Sequence, residues 1–466
     1  MNLNWLIRFL RPWLCLFIAT TGFVVGPWRM LLASEPTLGA SIQKEQSIEP
    51  IPFDDYFHDK ALRLDLYQSG DAKELVTTLQ NVWEEPCWPE NPKNLLTPFP
   101  YGKFMVKVWD TASNRLIYSK GFDSLFAEYA TTKPALLGNK RVFQTTTRIP
   151  MPKAAVRLTI ERRNSDNSLA TTFSENLEPT DIRIRRESTS SVDKSFDVQI
   201  KGSSHDCLDL VFLAEGYLAS QEEKFKSDVQ KMADHLLSIA PYKASRDRFN
   251  IRGVFRASEQ SGTDEPQKGL FRNTALNSSF NALDIDRYLL VEDNHRMHQM
   301  AACVPYDTIV VLVNTTTYGG GSICLDYCVC TTDSRASLMV FVHELGHGLA
   351  YLADEYVGNV TYSDMYPEGI EPVEPNITRQ LDPDKIKWRS FLTRDVILPT
   401  PLSPANYGER AVGAFEGGGY LSKGMYRSQA GCLMGTANPK ETFCVVCQDA
   451  IQRTIDYYSP IASVDK

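Results

Sequence analysis

The sequence predicts an α+β protein in which an N-terminal β-sandwich domain is followed by an α/β domain. The chain has 466 residues, which is too long for one ordinary domain. Apolar and polar residues alternate in short runs over the first half, whereas strand-like and helix-like runs alternate over the second. Hydrophobic residues make up 43% of the chain and charged residues 23%, as in globular proteins.

Residues 1–40 are predicted to direct export. Arg8 and Arg11 lie in a stretch without acidic residues, and the apolar run PWLCLFIATTGFVVGPW follows. This order is typical of a signal peptide. A small-residue cleavage site lies near Ala33 or Ser34, but Arg29 interrupts the run before it, so an uncleaved membrane anchor is the alternative. We therefore expect an exported protein that is secreted, periplasmic or attached to the cell surface.

A β-sandwich is predicted for residues 50–202. Asn, Asp, Gly and Pro residues separate its apolar and polar alternations, as at turns between strands. Short strands of this kind pack as two sheets around one core. The strand-like runs are YGKFMVKVWD, RLIYSKGF, KRVFQTTTRIPMP, AAVRLTIERR and SFDVQIKG.

An α/β domain is predicted for residues 203–466. The buried-strand run LDLVFLA leads into the helix-like run SQEEKFKSDVQKMADHLLSIAPY. RFNIRGVFRA and YDTIVVLVN have the composition of two further strands, and YGGGS follows them. YGGGS is either a sheet edge that substrate backbone joins or a flexible loop. The apolar run LMVFVHELGHGLAYLA is then predicted to form a buried helix.

Two histidines lie four positions apart in this helix. Because a helix turns by about 100° per residue, His343 and His347 share one face and can reach a single ion. Glu344 points to the side, where a carboxylate can take a proton from a metal-bound water without entering the coordination shell. This HExxH pattern is typical of zinc hydrolases and predicts one zinc ion per chain. A chance pair of histidines is the alternative, although the chain has only seven.

The net charge excludes one class of partner. The chain carries a formal net charge of −8. Proteins that bind nucleic acid usually present a basic surface to the phosphates. We therefore expect no nucleic-acid partner.

The cysteines are concentrated in the second half of the chain. Because an exported chain folds in an oxidising compartment, disulfides are expected more than metal ligands. One zinc cluster formed by CLDYCVC and FCVVC is the alternative. Apart from Cys15 in the export segment and Cys87 in the first half, the cysteines are Cys207, Cys303, Cys324, Cys328, Cys330, Cys432, Cys444 and Cys447.

The second half resembles peptidase family M64, which is named for IgA-cleaving metallopeptidases, and the first half resembles the N-terminal β domain of that family. The resemblance implies a metzincin-like zinc endopeptidase, with Glu344 as the general base and a protein or peptide as the substrate. The blocks that carry it, in this order, are DLVFLAEGY, PYKASRDRFNIRGVFRASEQSGTDEP, VNTTTYGGGS, VHELGHGLAYLADEY, VGAFEGGGYLSKGMYR and CLMGTANPKETFCVVCQDAI.

The resemblance also implies a methionine turn that supports the zinc site from below. Met434 in GCLMGT fills that position. In an exported chain we expect Cys432 to form a disulfide with Cys444 or Cys447, which closes the loop that carries Met434. Such a disulfide stabilises the fold by roughly 3 kcal/mol.

The third zinc ligand is expected in the LADEY block that the family shares. Ordinary metzincins place a histidine six residues after the second one, where this chain has Ala353. We expect the next residue, Asp354, to be the ligand, and Glu355 is the alternative. A third possibility is an acidic pair that only caps or salt-bridges the end of the helix.

A ligand at position 354 requires the chain to turn after the helix. In a straight helix Asp354 would lie about 10 Å along the axis from His347. Family members commonly have two glycines at this turn, whereas this chain has Ala350 and Tyr351 after Gly348.

The reaction also needs a group that stabilises the oxyanion. Tyr356, Tyr407 and Tyr420 are candidates, and their spacing does not rank them. A different class of function is a catalytically idle surface binding protein that keeps the fold. Degenerate enzymes usually lose a histidine or the glutamate of the motif, and all three are present here. The sequence therefore favours an active enzyme.

Overall fold

A computed structural model describes residues 50–186, 192–358, 365–402, 407–408, 410–436 and 442–460. The predicted export segment and Cys15 lie outside these ranges. Residues 50–466 form one compact unit. Among the described residues, no helix has the length and apolar character needed to cross a membrane. The fold is mixed α/β, with more residues in strands than in helices.

The first half forms two four-stranded sheets. Strands from both contribute to one hydrophobic core, which explains the alternation in the sequence because every second side chain of a strand faces inward. The sheet orders are β5-β1-β2-β8 and β4-β3-β6-β7. The strands are β1 (Phe57–Gly70), β2 (Leu75–Glu85), β3 (Phe104–Asp110), β4 (Leu116–Phe122), β5 (Arg141–Pro152), β6 (Val156–Arg163), β7 (Leu169–Leu177) and β8 (Ile184–Arg185), with short helices α1 (Phe53–Tyr56), α2 (Leu125–Tyr129) and α3 (Lys133–Leu136).

A six-stranded sheet organises the second half. Its order is β15-β16-β14-β10-β11-β9, with two smaller sheets, β12-β13 and β17-β19-β18. Strand β10 lies between parallel neighbours and every one of its residues is buried, as expected for the centre of a parallel sheet. The strands are β9 (Lys194–Gln199), β10 (Leu208–Glu215), β11 (Phe249–Phe255), β12 (Ser278–Ser279), β13 (Leu290–Val291), β14 (Thr308–Val313), β15 (Gly320–Ile323), β16 (Tyr327–Thr331), β17 (Ile377–Thr378), β18 (Phe415–Gly418) and β19 (Leu421–Arg427).

Of the four longer helices, α4, α5 and α6 pack against this sheet, and α7 packs against α6. Helix α6 contains the HExxH motif and packs against β15, β16 and α7. The helices are α4 (Glu222–Leu236), α5 (Asn294–Ala301), α6 (Ser337–Ala350) and α7 (Val445–Tyr458). Short 3-10 helices are Ala219–Gln221, Arg246–Arg248, Pro266–Lys268, Ala282–Asp284, Arg389–Phe391 and Leu433–Gly435.

Strand β9 joins a different sheet from the one predicted. The run SFDVQIKG was assigned to the N-terminal sandwich, but β9 pairs with β11 in the second sheet. Phe196 covers the open face of Gly253 and packs edge-on against Phe225 of α4. Alternation within a strand predicts its faces but not its partner, and here the partner is set by this packing.

Candidate metal centre

Helix α6 brings the two histidines of the motif together. Their Nε2 atoms lie 3.2 Å apart. The Nδ1 atom of His343 lies 3.1 Å from the Leu433 carbonyl, and that of His347 lies 2.5 Å from the Leu352 carbonyl. Because a carbonyl only accepts, each Nδ1 carries the proton and each Nε2 presents a lone pair. Both lone pairs therefore face the same space.

The chain turns back directly after α6. Tyr351 adopts the left-handed conformation with φ 55°, and its N–H donates to the His347 carbonyl while that of Leu352 donates to Gly346. Asp354 Oδ1 is thereby placed 3.1 Å from Nε2 of His343 and 3.5 Å from that of His347. The turn that the sequence analysis required is thus made by a tyrosine in place of glycine.

Burial offsets the strain of this tyrosine. A bulky residue in the left-handed region costs about 1–2 kcal/mol. The Tyr351 side chain is only 2% exposed, and its ring stacks on Tyr101 of the first half with centroids 5.3 Å apart. Removing an aromatic side chain from water contributes roughly 4 kcal/mol, which exceeds the cost.

The three converging atoms fit a zinc ion. Zinc binds imidazole nitrogen at about 2.0–2.1 Å in tetrahedral geometry, which separates two nitrogens by about 3.3 Å. The observed separation of 3.2 Å agrees. Asp354 Oδ1 is buried and has no hydrogen-bond partner among the described residues. A cation satisfies this orphaned oxygen and the two lone pairs together.

The electrostatics of the site also favour a cation. Burial alone would raise the pKa of Asp354, but the imidazoles hold it well below its usual range. Burial alone would lower the pKa of His347, but Asp354 raises it to about 9. Burial raises the pKa of Glu344 above its usual value. Asp354 therefore stabilises positive charge at this point, either as a proton on His347 Nε2 or as a metal ion that replaces this proton and uses the lone pair. Burial lets the Glu344 carboxyl hold a proton more readily than in water.

The predicted methionine turn lies against α6. Met434 is fully buried in the turn Leu433–Gly435. A Cβ atom built on Gly346 would lie 3.1 Å from the Met434 sulfur. Helix and turn approach this closely because Gly346 has no side chain.

Two of the three candidate tyrosines lie at the site. The Tyr420 hydroxyl donates to Asp354 Oδ2 at 2.5 Å. The Tyr356 ring lies 6.0 Å from the His343 ring and 5.9 Å from that of Tyr420. Tyr407 instead donates to the Asp395 carbonyl at 3.2 Å and is not among the described residues that line the cleft.

A buried asparagine that the sequence analysis missed holds the Asp354 segment. Asn376 Oδ1 accepts the Ala353 N–H at 2.8 Å, and its Nδ2 donates to the Ala353 carbonyl and to Glu355 Oε1, each at 2.9 Å. Asn376 lies more than twenty residues beyond the HExxH block in EPNITR, and nothing in that run distinguishes it from a surface turn.

Comparison of the sequence with protein-family models agrees with this geometry. Residues 196–412 and 402–455 match the model of the family described as IgA Peptidase M64, and residues 52–174 match that described as Peptidase M64 N-terminus. The chain belongs to peptidase family M64. The resemblance seen in the sequence is therefore confirmed, and membership assigns the chain to the hydrolases that act on proteins or peptides. No curated protein matches the chain.

The N-terminal half of this M64 peptidase forms part of the cleft. Glu128 of α2 lines it together with His347 and Asp354, and Arg287 lines it from the second half. The Tyr288 hydroxyl donates to Glu128 at 2.7 Å, and burial raises the pKa of Glu128 to about 8. No sequence motif marks these residues, because they reach the cleft only through contact between the two halves.

The run YGGGS forms part of an edge strand in the M64 peptidase. Strand β15 begins at Gly320 and pairs with β16 on one side only. On its other side the Leu289 N–H donates to the Gly320 carbonyl at 3.2 Å. Further along this side the Ser322 carbonyl accepts the Tyr288 hydroxyl at 3.3 Å, so the outer edge of β15 is already occupied at Gly320 and at Ser322.

Glu355, the alternative third ligand, does not face the histidines. Its Oε1 atom lies 3.3 Å from the sulfur of Cys447. The sulfurs of Cys432 and Cys447 are 3.7 Å apart, and the described cysteines are all free thiols. The expected disulfide at Cys432 stays a prediction that a thiol count can test.

Proposed function

We propose that this M64 peptidase is an exported, zinc-dependent endopeptidase of the metzincin type. The observation that carries the proposal is the convergence of His343 Nε2, His347 Nε2 and Asp354 Oδ1 beside a cleft that His347, Asp354 and Glu344 line. Three protein ligands with one open position characterise catalytic zinc sites, whereas structural sites are closed by four. When bound, zinc would act as a Lewis acid on the attacking water and on the scissile carbonyl.

Glu344 is the proposed general base. Its carboxylate would accept a proton from the attacking water and deliver it to the nitrogen of the leaving amine as the C–N bond breaks. Burial raises the pKa of Glu344, which supports a group that must hold a proton between these two transfers.

Two tyrosines near the histidines are proposed to serve two roles. The Tyr420 hydroxyl already donates a hydrogen bond to Asp354, so we propose that Tyr420 positions this metal ligand. Tyr356 lies over His343 and is the proposed donor to the oxyanion. Met434 is proposed to support the site as the methionine turn, since the Leu433 carbonyl beside it orients His343.

The cellular location and the N-terminal fold belong to the same proposal. The basic and apolar character of residues 1–40 supports export. The exported protein would be secreted, periplasmic or attached to the membrane by this segment. Two sheets around one core support the proposed β-sandwich.

Cleavage-site mapping tests this function. Full-length protein is incubated with a peptide library and the products are identified by mass spectrometry. We expect internal cleavage, and a loss of at least about 100-fold in Glu344→Gln with zinc retained, because glutamine cannot accept the proton.

The matched control is Glu223→Gln, whose side chain is 84% exposed on α4. It removes the same charge and should leave the rate unchanged. Full activity in Glu344→Gln would remove that residue from the mechanism. A zinc-loaded wild-type protein that cleaves nothing would favour the idle binding protein.

A further inference from the structure

A second group of possible metal ligands lies beside the candidate metal centre. Its four ligand atoms lie within 4.8 Å of one another, and all four residues are buried. We call it the thiolate cluster; its members are Glu355, Cys432, Cys444 and Cys447. Cys328 and Cys330, from the alternative zinc cluster considered in the sequence, lie on β16 outside it.

The distances in the thiolate cluster match tetrahedral zinc. Zn–S bonds of about 2.3 Å place two sulfurs about 3.8 Å apart, and a carboxylate ligand lies about 3.6 Å from each sulfur. The sulfurs of Cys432 and Cys447 are 3.7 Å apart. Glu355 Oε1 lies 3.3 Å from the sulfur of Cys447 and 3.9 Å from that of Cys444. The four atoms therefore surround a space of the size that zinc fills.

Among the described residues, no cationic side chain is paired with the carboxylate of this cluster. Glu355 is 1% exposed, and its Oε2 atom is buried and accepts no hydrogen bond from the part of the chain that the structure describes. The nearby guanidinium of Arg427 donates to the carbonyls of Glu416, Gly417 and Ala430 instead. A buried carboxylate that is not paired with a cation is strongly destabilising. A divalent ion would supply the missing charge.

The sulfurs lie where thiolates are stabilised. Cys444 caps the N-terminus of the 14-residue helix α7, and its sulfur accepts the Cys447 N–H at 3.4 Å. The Cys432 sulfur accepts the Cys444 N–H at 3.2 Å. N–H donors and a helix N-terminus lower the energy of a thiolate, which is the form that binds metal.

We propose that the thiolate cluster binds a structural zinc ion, separate from the one at the histidines. Four protein ligands leave no open position, so this second site would not be catalytic. The chain would then bind two zinc ions, where the HExxH motif predicts one. A disulfide between any two of the three cysteines would leave the third as a buried thiol beside Glu355.

The proposed ion would join two segments that build the catalytic site. Glu355 follows Asp354 directly, and Cys432 precedes the turn that contains Leu433 and Met434. The Glu355 N–H already donates to the Met434 carbonyl at 2.7 Å. A metal that bridges Glu355 and Cys432 would hold the third ligand and the methionine turn in register.

Metal analysis of the full-length protein tests this inference. The protein is purified without reductant or chelator, and zinc is counted per chain by mass spectrometry. We expect two equivalents in the wild type and one in Asp354→Ala. Cobalt exchanged into Asp354→Ala should show the near-ultraviolet charge-transfer absorption of thiolate ligands, because only the thiolate cluster remains.

Cysteine variants provide the matched comparison. Cys444→Ser should lose one zinc equivalent and the charge-transfer absorption. Cys330→Ser removes an equally buried thiol outside the cluster and should keep both. Should Cys444→Ser fail to fold, the cobalt spectra of the wild type and Asp354→Ala decide the question.

Two results would overturn the proposal. One is a peptide map that shows Cys432 disulfide-bonded to Cys444 or Cys447, with no thiolate absorption. The other is a folded protein in which all three thiols react freely and no second metal is found. Neither depends on peptidase activity, so the inference and the proposed function can fail separately.

Discussion

Asp354 and Glu355 are neighbours in the chain but belong to different clusters. Asp354 faces the two histidines, whereas Glu355 faces three cysteines. The main-chain hydrogen bonds of the two residues go to different segments. The Asp354 carbonyl accepts the Gly419 N–H, and the Glu355 N–H donates to the Met434 carbonyl. Successive side chains of an extended segment point to opposite sides, so a shift by one residue would exchange the two acids. The backbone register of residues 353–356 thus determines which acid reaches which cluster.

The two clusters differ in how they are assembled. The histidine centre comes from twelve consecutive residues, 343–354, of one helix and the turn after it. The thiolate cluster combines that turn with a loop and the start of α7, about eighty residues further on. The histidine centre can therefore be predicted from a local motif, whereas the thiolate cluster is formed only by tertiary packing.

Replacing the two acids separately gives the largest expected effects. Asp354→Ala should lower zinc affinity at the histidines by well over 100-fold, because the loss of a ligand exceeds the 10- to 100-fold expected for an outer-shell partner. Peptidase activity should fall with it. Glu355→Ala should retain the histidine-bound zinc, as measured by competition with a chelator. The reverse pattern would move the ligand by one residue.

The turn at Tyr351 offers the next largest effect. Tyr351→Ala loses the buried ring and keeps the left-handed backbone, and we expect a loss of about 4 kcal/mol in the free energy of unfolding. Tyr351→Gly loses the same ring but relaxes the backbone, so it should be more stable than the alanine variant by about 1 kcal/mol. Urea denaturation measures both. In a regular helix alanine is the more stable of the two, so that order would contradict the turn.

Asn376 should affect both clusters, because it contacts Ala353 and Glu355. Asn376→Ala leaves the buried Ala353 N–H without a partner, and we expect a loss of about 2 kcal/mol in stability. Zinc affinity at the histidines should fall by about 10- to 100-fold, as for other residues that orient ligands. Asn164→Ala, in an exposed turn, is the control. Equal zinc affinity in both variants would show that Asn376 does not position Asp354.

The smallest expected effect comes from the contact between α6 and the turn Leu433–Gly435. An alanine in an exposed helix is more stable than glycine by about 0.5–1 kcal/mol. At Gly346 the added carbon meets Met434, Leu352 and Phe443 at 3.1–3.3 Å, and such overpacking typically costs about 1–3 kcal/mol. Gly346→Ala should therefore be destabilised by about 1 kcal/mol in thermal unfolding. A stabilised variant would show that the turn containing Met434 moves to accommodate the added carbon at little cost.

Sequence patterns predicted the features of the site that depend on residues close together in the chain. The spacing of His343 and His347 predicts a shared helix face, and the M64 resemblance extended this to Asp354. Alternation identified β3 to β6 of the first half, and apolar runs identified β10, β11 and β14 of the second, whereas the long strands β1 and β2 were not predicted.

Three features depend on which elements pack together, and this packing is not encoded in any one stretch of sequence. They are the sheet that β9 joins, the position of Glu128 in the cleft, and the hydrogen bonds of Asn376 to Ala353 and Glu355. The same holds for Glu355, whose cysteine neighbours lie about eighty to ninety residues away.

Anomalous diffraction at the zinc absorption edge, from crystals of the full-length protein, tests the histidine centre most directly. We predict a peak at about 2.1 Å from His343 Nε2, His347 Nε2 and an oxygen of Asp354, with Glu344 outside the coordination shell. A zinc peak at the histidines coordinated by Glu355, or no peak between the two imidazoles of a metal-loaded active enzyme, would contradict the assignment.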